Sequence, residues 1–127
     1  MTLTFTLPSV PSVNHLYANA RNGGRRKTDR YRRWQNAMGW ELKAQGMHKL
    51  KGAYTVMVLA APPQGKAKRD LDNMLKAILD LLVDVQIVEA DEYPYCMGIS
   101  IQWSEAIKEG VAVSLRPAGA LANEVAA

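Results

Sequence analysis

Cysteine and long apolar runs are both scarce in this sequence. Cys96 is the only cysteine among 127 residues, so no intramolecular disulfide can form and a reducing compartment is expected. The first basic residue is Arg21, so the start of the chain lacks the charged region of a signal peptide. The longest uncharged apolar stretch, residues 52–65, is too short to span a bilayer and contains Pro62 and Pro63. These absences predict a cytoplasmic protein.

Histidine is also scarce, whereas charge is plentiful and segregated. His15, His48 and Cys96 have no companions at ligand spacing, which argues against a zinc site. The net charge of +4 favours acidic partners, with nucleic acid first. A basic arm, residues 21–33, contains seven cations and a single acid, Asp29. The cations are Arg21, Arg25, Arg26, Lys27, Arg30, Arg32 and Arg33. The acids crowd in the centre of the chain: Asp70, Asp72, Asp80, Asp84, Glu89, Asp91 and Glu92.

Hydrophobic periodicity predicts one α+β domain over residues 1–116, with a small apolar tail, 117–127, as a candidate for disorder. Alternating or continuous apolar residues predict strands at 2–7, 54–61, 95–103 and 110–116. Helical spacing predicts helices at 29–47, capped by Thr28, and at 71–83. The order β-α-β-α-β-β implies two layers, with helices on one face of a mixed sheet. We expect the strand at 54–61 to be central and buried on both faces, and the last two strands to form a hairpin.

Cations run directly into carboxylates in the middle of the chain. Lys66, Lys68 and Arg69 suit a phosphodiester backbone, whereas Asp70 and Asp72 would repel it. A divalent metal between carboxylate and phosphate resolves this conflict, as in a metal-dependent nuclease. If the segment is extended, residues two apart point the same way and both carboxylates can face one Mg²⁺. The structural alternative is that Asp70 caps the helix and Asp72 complements its dipole.

Two further residues extend this hypothesis. Lys76 lies one helical turn after Asp72, where it either forms an ion pair with Asp72, shared with Asp80, or stabilises charge at a scissile phosphate. Asp91 lies between the second helix and the third strand, and the return of the chain to the sheet is expected to bring it beside Asp70. Glu89 and Glu92 compete for the same role.

Three segments resemble the RusA family of Holliday junction resolvases: LPSVPSVN from Leu7, the central RDLDNMLKAILD, and VEADE. The resemblance implies a homodimeric endodeoxyribonuclease that uses Mg²⁺, for which Mn²⁺ can substitute, and cuts four-way DNA junctions symmetrically in recombination and repair. By position in the motifs, it implies that Asp70, Asp72 and Asp91 bind the metal, that Lys76 is catalytic and that Arg69 contacts DNA. This chain departs from the family at Ala90, where a first aspartate is often found.

Further DNA contacts are expected from the pattern of basic and loop residues. These candidates are Lys66, Lys68, Arg25, Arg26, Lys27 and Asn14. Two other functions stay open on the sequence alone. One is a non-catalytic nucleic-acid-binding domain that uses the basic arm, for which metal would be dispensable. The other is a small regulatory or oligomerisation domain in which the paired aspartates arise by chance.

Overall fold

The computed structural model describes residues 2–11, 17–19, 21, 23–65 and 69–118. Asn14, Lys66, Lys68 and residues 119–127 lie outside these ranges, so the predictions made for them have no structural counterpart here. The elements of the described residues, in chain order, are β1 (Leu3–Leu7), β2 (Tyr17–Asn19), β3 (Arg25–Lys27), α1 (Asp29–Ala44), β4 (Tyr54–Ala60), α2 (Leu71–Asp84), β5 (Cys96–Trp103) and β6 (Val111–Pro117).

The main sheet of the described chain has the strand order β1-β6-β4-β5. β6 is antiparallel to both β1 and β4, whereas β5 runs parallel to β4. The predicted hairpin between the last two strands is therefore wrong, because β4 lies between β5 and β6. The reason is topological: β4, α2 and β5 form a strand-helix-strand unit, and such a crossover returns the chain parallel to its first strand.

Both described helices cover the same face of this sheet, which confirms the predicted α+β fold with a mixed sheet. Alternate strand residues are buried against the helices, such as Phe5 on β1, Val58 on β4 and Val113 on β6. Burial of this face and of the apolar helix stripes stabilises the fold, at about 25 cal/mol per Å² of apolar surface. The helix residues buried in this core are Tyr31, Gln35, Met38, Leu42, Met74, Ala77, Ile78, Leu79, Leu81 and Leu82.

The opposite face of the main sheet is open, which corrects one expectation. β4 is an interior strand as predicted, but Met57 at its middle is 49% exposed, so β4 is not buried on both faces. Its neighbours on this face are Ser100 of β5 and Ser114 of β6. The sequence of β4 is continuously apolar because Met57 and Leu59 occupy its open face, where antiparallel strands commonly carry polar residues.

The two outer edges of the main sheet differ. At the β1 edge, the side-chain amide of Gln45 donates to the Thr6 carbonyl at 2.8 Å and accepts from the Thr6 N–H at 2.9 Å. Gln45 thus takes the place of a neighbouring strand at that point. β5 forms the other edge, and its only strand partner among the described residues is β4. No helix of the described chain is long and apolar enough to cross a membrane.

Candidate active site

The start of α2 carries the two aspartates of the central motif. Asp70 is the N-cap, with an extended backbone (φ −116°, ψ 128°), and its Oδ1 accepts a hydrogen bond of 2.9 Å from the Asp72 backbone N–H. Asp72 belongs to the first helical turn. The structural alternative for Asp70 therefore holds, because it satisfies one of the helix N–H groups that have no partner within the helix. The backbone is extended at Asp70, as expected, but the helix begins at the next residue, Leu71.

Capping leaves both carboxylates accessible to a cation. Only one oxygen of Asp70 accepts the capping hydrogen bond, and Asp70 and Asp72 are both exposed. Oxygen donors from one or two carboxylates, completed by water and phosphate, form the set that Mg²⁺ usually takes in proteins. The pair at the start of α2 fits this chemistry.

The first loop is anchored beside this pair by two donors. A guanidinium nitrogen of Arg69 donates to the Val10 carbonyl, and Trp34 Nε1 donates to the Ser9 carbonyl at 3.0 Å. These contacts bring residues 8–11, part of the proline-containing motif, to the N-terminal end of α2. A cleft of about 460 Å³ lies between this loop and the segment that follows β4, with Arg69 on its wall. The ends of β1 and β4 thus supply a concave surface next to the carboxylates.

Lys76 lies one turn further along α2 and forms an ion pair with Asp80. Its Nζ is 3.9 Å from Asp80 Oδ2, and its side chain is 52% exposed. The same Asp80 oxygen accepts a 3.0 Å hydrogen bond from the hydroxyl of Tyr31, which is fully buried. Of the two partners considered from the sequence, Asp80 forms an ion pair with Lys76 in the structure.

Asp91 lies towards the other end of α2. It lines a cleft of about 240 Å³ together with Lys27, Asp80, Val83 and Asp84. Asp80 follows Asp72 by two helical turns, a rise of about 12 Å at 1.5 Å per residue. Within the described ranges, no three acidic, histidine or cysteine side chains form a group that could hold a metal. The structure thus brings Asp70 and Asp72 together and does not bring Asp91 to them.

The segment that carries Asp91 is held by tyrosines. The Tyr54 hydroxyl donates to the Ala90 carbonyl at 2.8 Å, and burial, aided by nearby Cys96 and Asp91, raises the pKa of Tyr54 well above its ordinary value. A hydrogen bond to Glu89 raises the pKa of Tyr95.

Comparisons with known proteins identify the family. The family model described as "Endodeoxyribonuclease RusA" matches residues 7–116. The chain belongs to the RusA family. It is also similar to the crossover junction endodeoxyribonuclease RusA of Aquifex aeolicus (strain VF5), with 31% identity over 114 residues, which cover 85% of this chain and 84% of that protein. These matches confirm the family predicted from the motifs, and membership of that family implies a nuclease.

The basic arm of this RusA-family chain divides into two parts. Arg25 and Arg26 are exposed on β3, which pairs with β2 in a short hairpin. Lys27, the next residue, turns inward: its Nζ donates to Gln35 Oε1 at 3.0 Å, lies 3.9 Å from Asp84 and sits 5.6 Å from the centre of the Tyr31 ring. Of the three cations on β3 that were predicted to contact DNA, two are thus presented to solvent, whereas Lys27 is engaged with the protein.

The sequence does not predict the contact between Asp80 and Tyr31, which lies beside Lys76. It indicates Asp80 only as a second partner for Lys76. The spacing of Lys76 and Asp80 indicates an ion pair on a helix. The contact between Asp80 and Tyr31 joins residues 49 apart in the chain, and no local pattern carries that information.

Proposed function

We propose that this protein is a Mg²⁺-dependent endodeoxyribonuclease that resolves four-way DNA junctions by paired, symmetric phosphodiester hydrolysis in recombination and repair. The observation that carries the proposal is the exposed pair Asp70 and Asp72 at the start of α2, with Lys76 one turn further on the same helix. Membership of the RusA family and the name of the Aquifex relative support the same activity.

Each of these residues has a chemical role in the proposal. Asp70 and Asp72 hold the metal, which, when bound, polarises the phosphate and lowers the pKa of a water molecule. Lys76 places a positive charge where negative charge develops on the phosphate oxygens. Arg69 has several N–H donors, and its contact with Val10 fixes its position on the wall of the cleft, where it is suited to a DNA phosphate. Arg25 and Arg26 extend the basic surface.

The topology supports a role for a second copy of the chain in the proposed site. Asp70 follows the C-terminal end of β4, whereas Asp91 precedes the N-terminal end of β5. Because β4 and β5 are parallel, these residues belong to opposite ends of the main sheet. If Asp91 contributes to the metal site, either its segment moves or the Asp91 of a second copy supplies the ligand. We propose the second copy, since two related sites are also needed for paired cuts.

The β5 edge is the element that we propose joins the two copies. β5 has eight residues without charge or proline, and Met97 and Ile99 on it are 52% and 48% exposed. An edge strand of this kind can pair with its own two-fold copy in antiparallel fashion. A two-fold axis perpendicular to the sheet places the helices of both copies on one face. It also carries each Asp91 to the end of the sheet that bears the other copy's Asp70.

Cleavage of a synthetic four-way junction tests the activity. Each strand is labelled in turn, and the protein is incubated with Mg²⁺, with Mn²⁺ or with EDTA, beside a linear duplex of the same sequence. We expect paired cuts in opposite strands of the junction with either metal, no cuts in EDTA and little cutting of the duplex. Binding of the junction without cleavage in Mg²⁺ would instead favour a non-catalytic DNA-binding domain.

Mixing of inactive subunits tests the shared site. An Asp72→Asn copy and an Asp91→Asn copy are refolded together, which produces heterodimers. In a shared site, one of the two centres then holds Asp70, Asp72 and Asp91 intact, so nicking of the junction returns. If each site uses its own chain only, both centres stay damaged and no activity returns.

The oligomeric state tests the interface. Ile99→Lys should yield a monomer in sedimentation equilibrium at micromolar protein, because it places a charge on the pairing edge. Met57→Lys is the matched control, since Met57 is 49% exposed but lies on the interior strand β4. A monomeric Met57→Lys with a dimeric Ile99→Lys would assign the interface to the open face of the sheet instead.

A further inference from the structure

Asp80 lies between a buried tyrosine and the exposed Lys76. Its Oδ2 accepts a 3.0 Å hydrogen bond from the Tyr31 hydroxyl and is 3.9 Å from Lys76 Nζ. The side chain of Asp80 is 18% exposed, compared with 52% for Lys76, and Tyr31 is fully buried. The three groups therefore form a chain of contacts that runs from the core to the surface.

The anchor of this chain is itself restrained. The ring of Tyr31 stacks on Trp34 with centroids 6.0 Å apart, and Lys27 Nζ lies 5.6 Å from the centre of the Tyr31 ring. Trp34 in turn donates to the Ser9 carbonyl in the first loop. A carboxylate bonded to a hydroxyl that is fixed in this way has few positions available, and a hydrogen bond to a charged group is stronger than one between neutral groups.

A restrained carboxylate matters because lysine is flexible. The ammonium of lysine is carried on a flexible four-carbon stem, and an ion pair at i,i+4 whose lysine is 52% exposed contributes little to stability. That contribution is too small to give Asp80 an important role in folding through Lys76. The restraint that Asp80 places on the position of the ammonium matters more for the reaction rate, because catalysis depends on the placement of charge to within about 1 Å.

We propose that Asp80, held by the Tyr31 hydroxyl, is a positioning residue for Lys76 during phosphodiester cleavage. This inference rests on the proposed function and adds two residues to it. Asp80 touches neither the substrate nor the metal in the proposal. It restrains the Lys76 ammonium on the side of α2 that also carries Asp72, so that less ordering is needed when the phosphate arrives.

A direct metal-binding role for Asp80 is less well supported. Asp80, Asp84 and Asp91 line one cleft, but Lys27 lines it as well and lies 3.9 Å from Asp84. Among the described residues, these three acids do not form a group that could hold a metal. The contacts with Tyr31 and Lys76 are those of an acid that joins two protein groups.

The test compares single and double variants under single-turnover conditions on a junction. Asp80→Asn should lower the cleavage rate by about threefold to tenfold, while junction binding in EDTA and the thermal midpoint change little. Asp80→Glu should recover part of the rate, because it restores the charge. Tyr31→Phe keeps the ring and should cause a smaller loss of the same kind. Asp84→Asn is the matched control. Asp84 is on the same helix and also lies 3.9 Å from a lysine, Lys27, and the cleavage rate of this variant should stay at the wild-type level.

A double-mutant cycle with Lys76 decides between positioning and general stability. If Asp80 acts through Lys76, Asp80→Asn and Tyr31→Phe should not lower the residual rate of Lys76→Ala any further. Additive losses in the Lys76→Ala background, or a normal rate for both Asp80→Asn and Tyr31→Phe, would overturn the inference. Failure of the proposed function looks different: the wild-type protein would then not cut the junction, or Lys76→Ala would cut it at the wild-type rate.

Discussion

Asparagine and alanine substitutions at Asp70 separate helix capping from metal binding. Asparagine caps helices about as well as aspartate, so Asp70→Asn should lose only the charge near the positive end of α2, about 0.3–1 kcal/mol. Asp70→Ala also loses the hydrogen bond to the Asp72 N–H and should cost about 0.5–2 kcal/mol more. At roughly 4 °C per kcal/mol for a domain of this size, the alanine variant should melt clearly below the asparagine variant.

Activity should follow a different order. A carboxylate that holds a metal supplies several kcal/mol in the transition state, so Asp70→Asn should lower junction cleavage more than about hundredfold despite its near-normal stability. Asp72→Asn should behave in the same way, since Asp72 is exposed and its carboxylate is not the acceptor of the cap. Binding of the junction in EDTA should persist or tighten, because negative charge near the phosphates has been removed.

Three measurements check this prediction: thermal melting, junction binding in EDTA, and single-turnover cleavage in Mg²⁺. Asp84→Asn at the far end of α2 is a control for the loss of an acid from this helix. An Asp70→Asn variant that cleaves at nearly the wild-type rate would show that Asp70 is a cap and nothing more. An Asp72→Asn variant with the same result would remove the proposed site altogether.

Three further predictions concern DNA contacts, the backbone and pH. Arg25→Glu with Arg26→Glu should weaken junction binding and flatten the plot of log K against log salt by about 0.7–0.9 per lost phosphate contact, whereas Lys27→Gln should lower the melting temperature, because Lys27 is engaged inside the protein. Gly110→Ala should destabilise by several kcal/mol in urea titration, because Gly110 has φ of +65° and an added Cβ would overlap the Leu7 carbonyl at the end of β1. Since burial raises the pKa of Tyr54, unfolding should become easier above about pH 10, by up to about 1.4 kcal/mol per pH unit, and Tyr54→Phe should remove part of that slope.

The helices were predictable because their signals are local. Thr28 accepts from the Tyr31 N–H at 3.1 Å, as its position before an apolar stripe indicated, and Asp70 caps α2 in the same manner. The predicted first residues of both helices match the structure, whereas the last residues differ by three in α1 and by one in α2. A cap and a helical period depend on residues within a few positions of each other, so one sequence contains them.

Strand pairing was less predictable because alternation identifies a strand and not its neighbour. β5 and β6 are both genuine strands, and the short connection between them favoured a hairpin. The helix between β4 and β5 carried the contrary signal, since a strand-helix-strand unit usually pairs its strands in parallel. Applied first, that rule predicts β5 beside β4. β6 is then free to pair with β1 and with β4, as observed.

The same pairing limits what the motifs can say about the site. The motifs name Asp70, Asp72 and Asp91 as a set, but the parallel alignment of β4 and β5 sends the first two and the third to opposite ends of the sheet. The fourteen residues of α2 separate them, a rise of about 21 Å at 1.5 Å per residue. Residue types and spacing along one chain cannot show whether such a gap is closed by movement or by a second molecule. Refolding Asp72→Asn together with Asp91→Asn decides between these two explanations, because nicking returns only if a second molecule completes the proposed site.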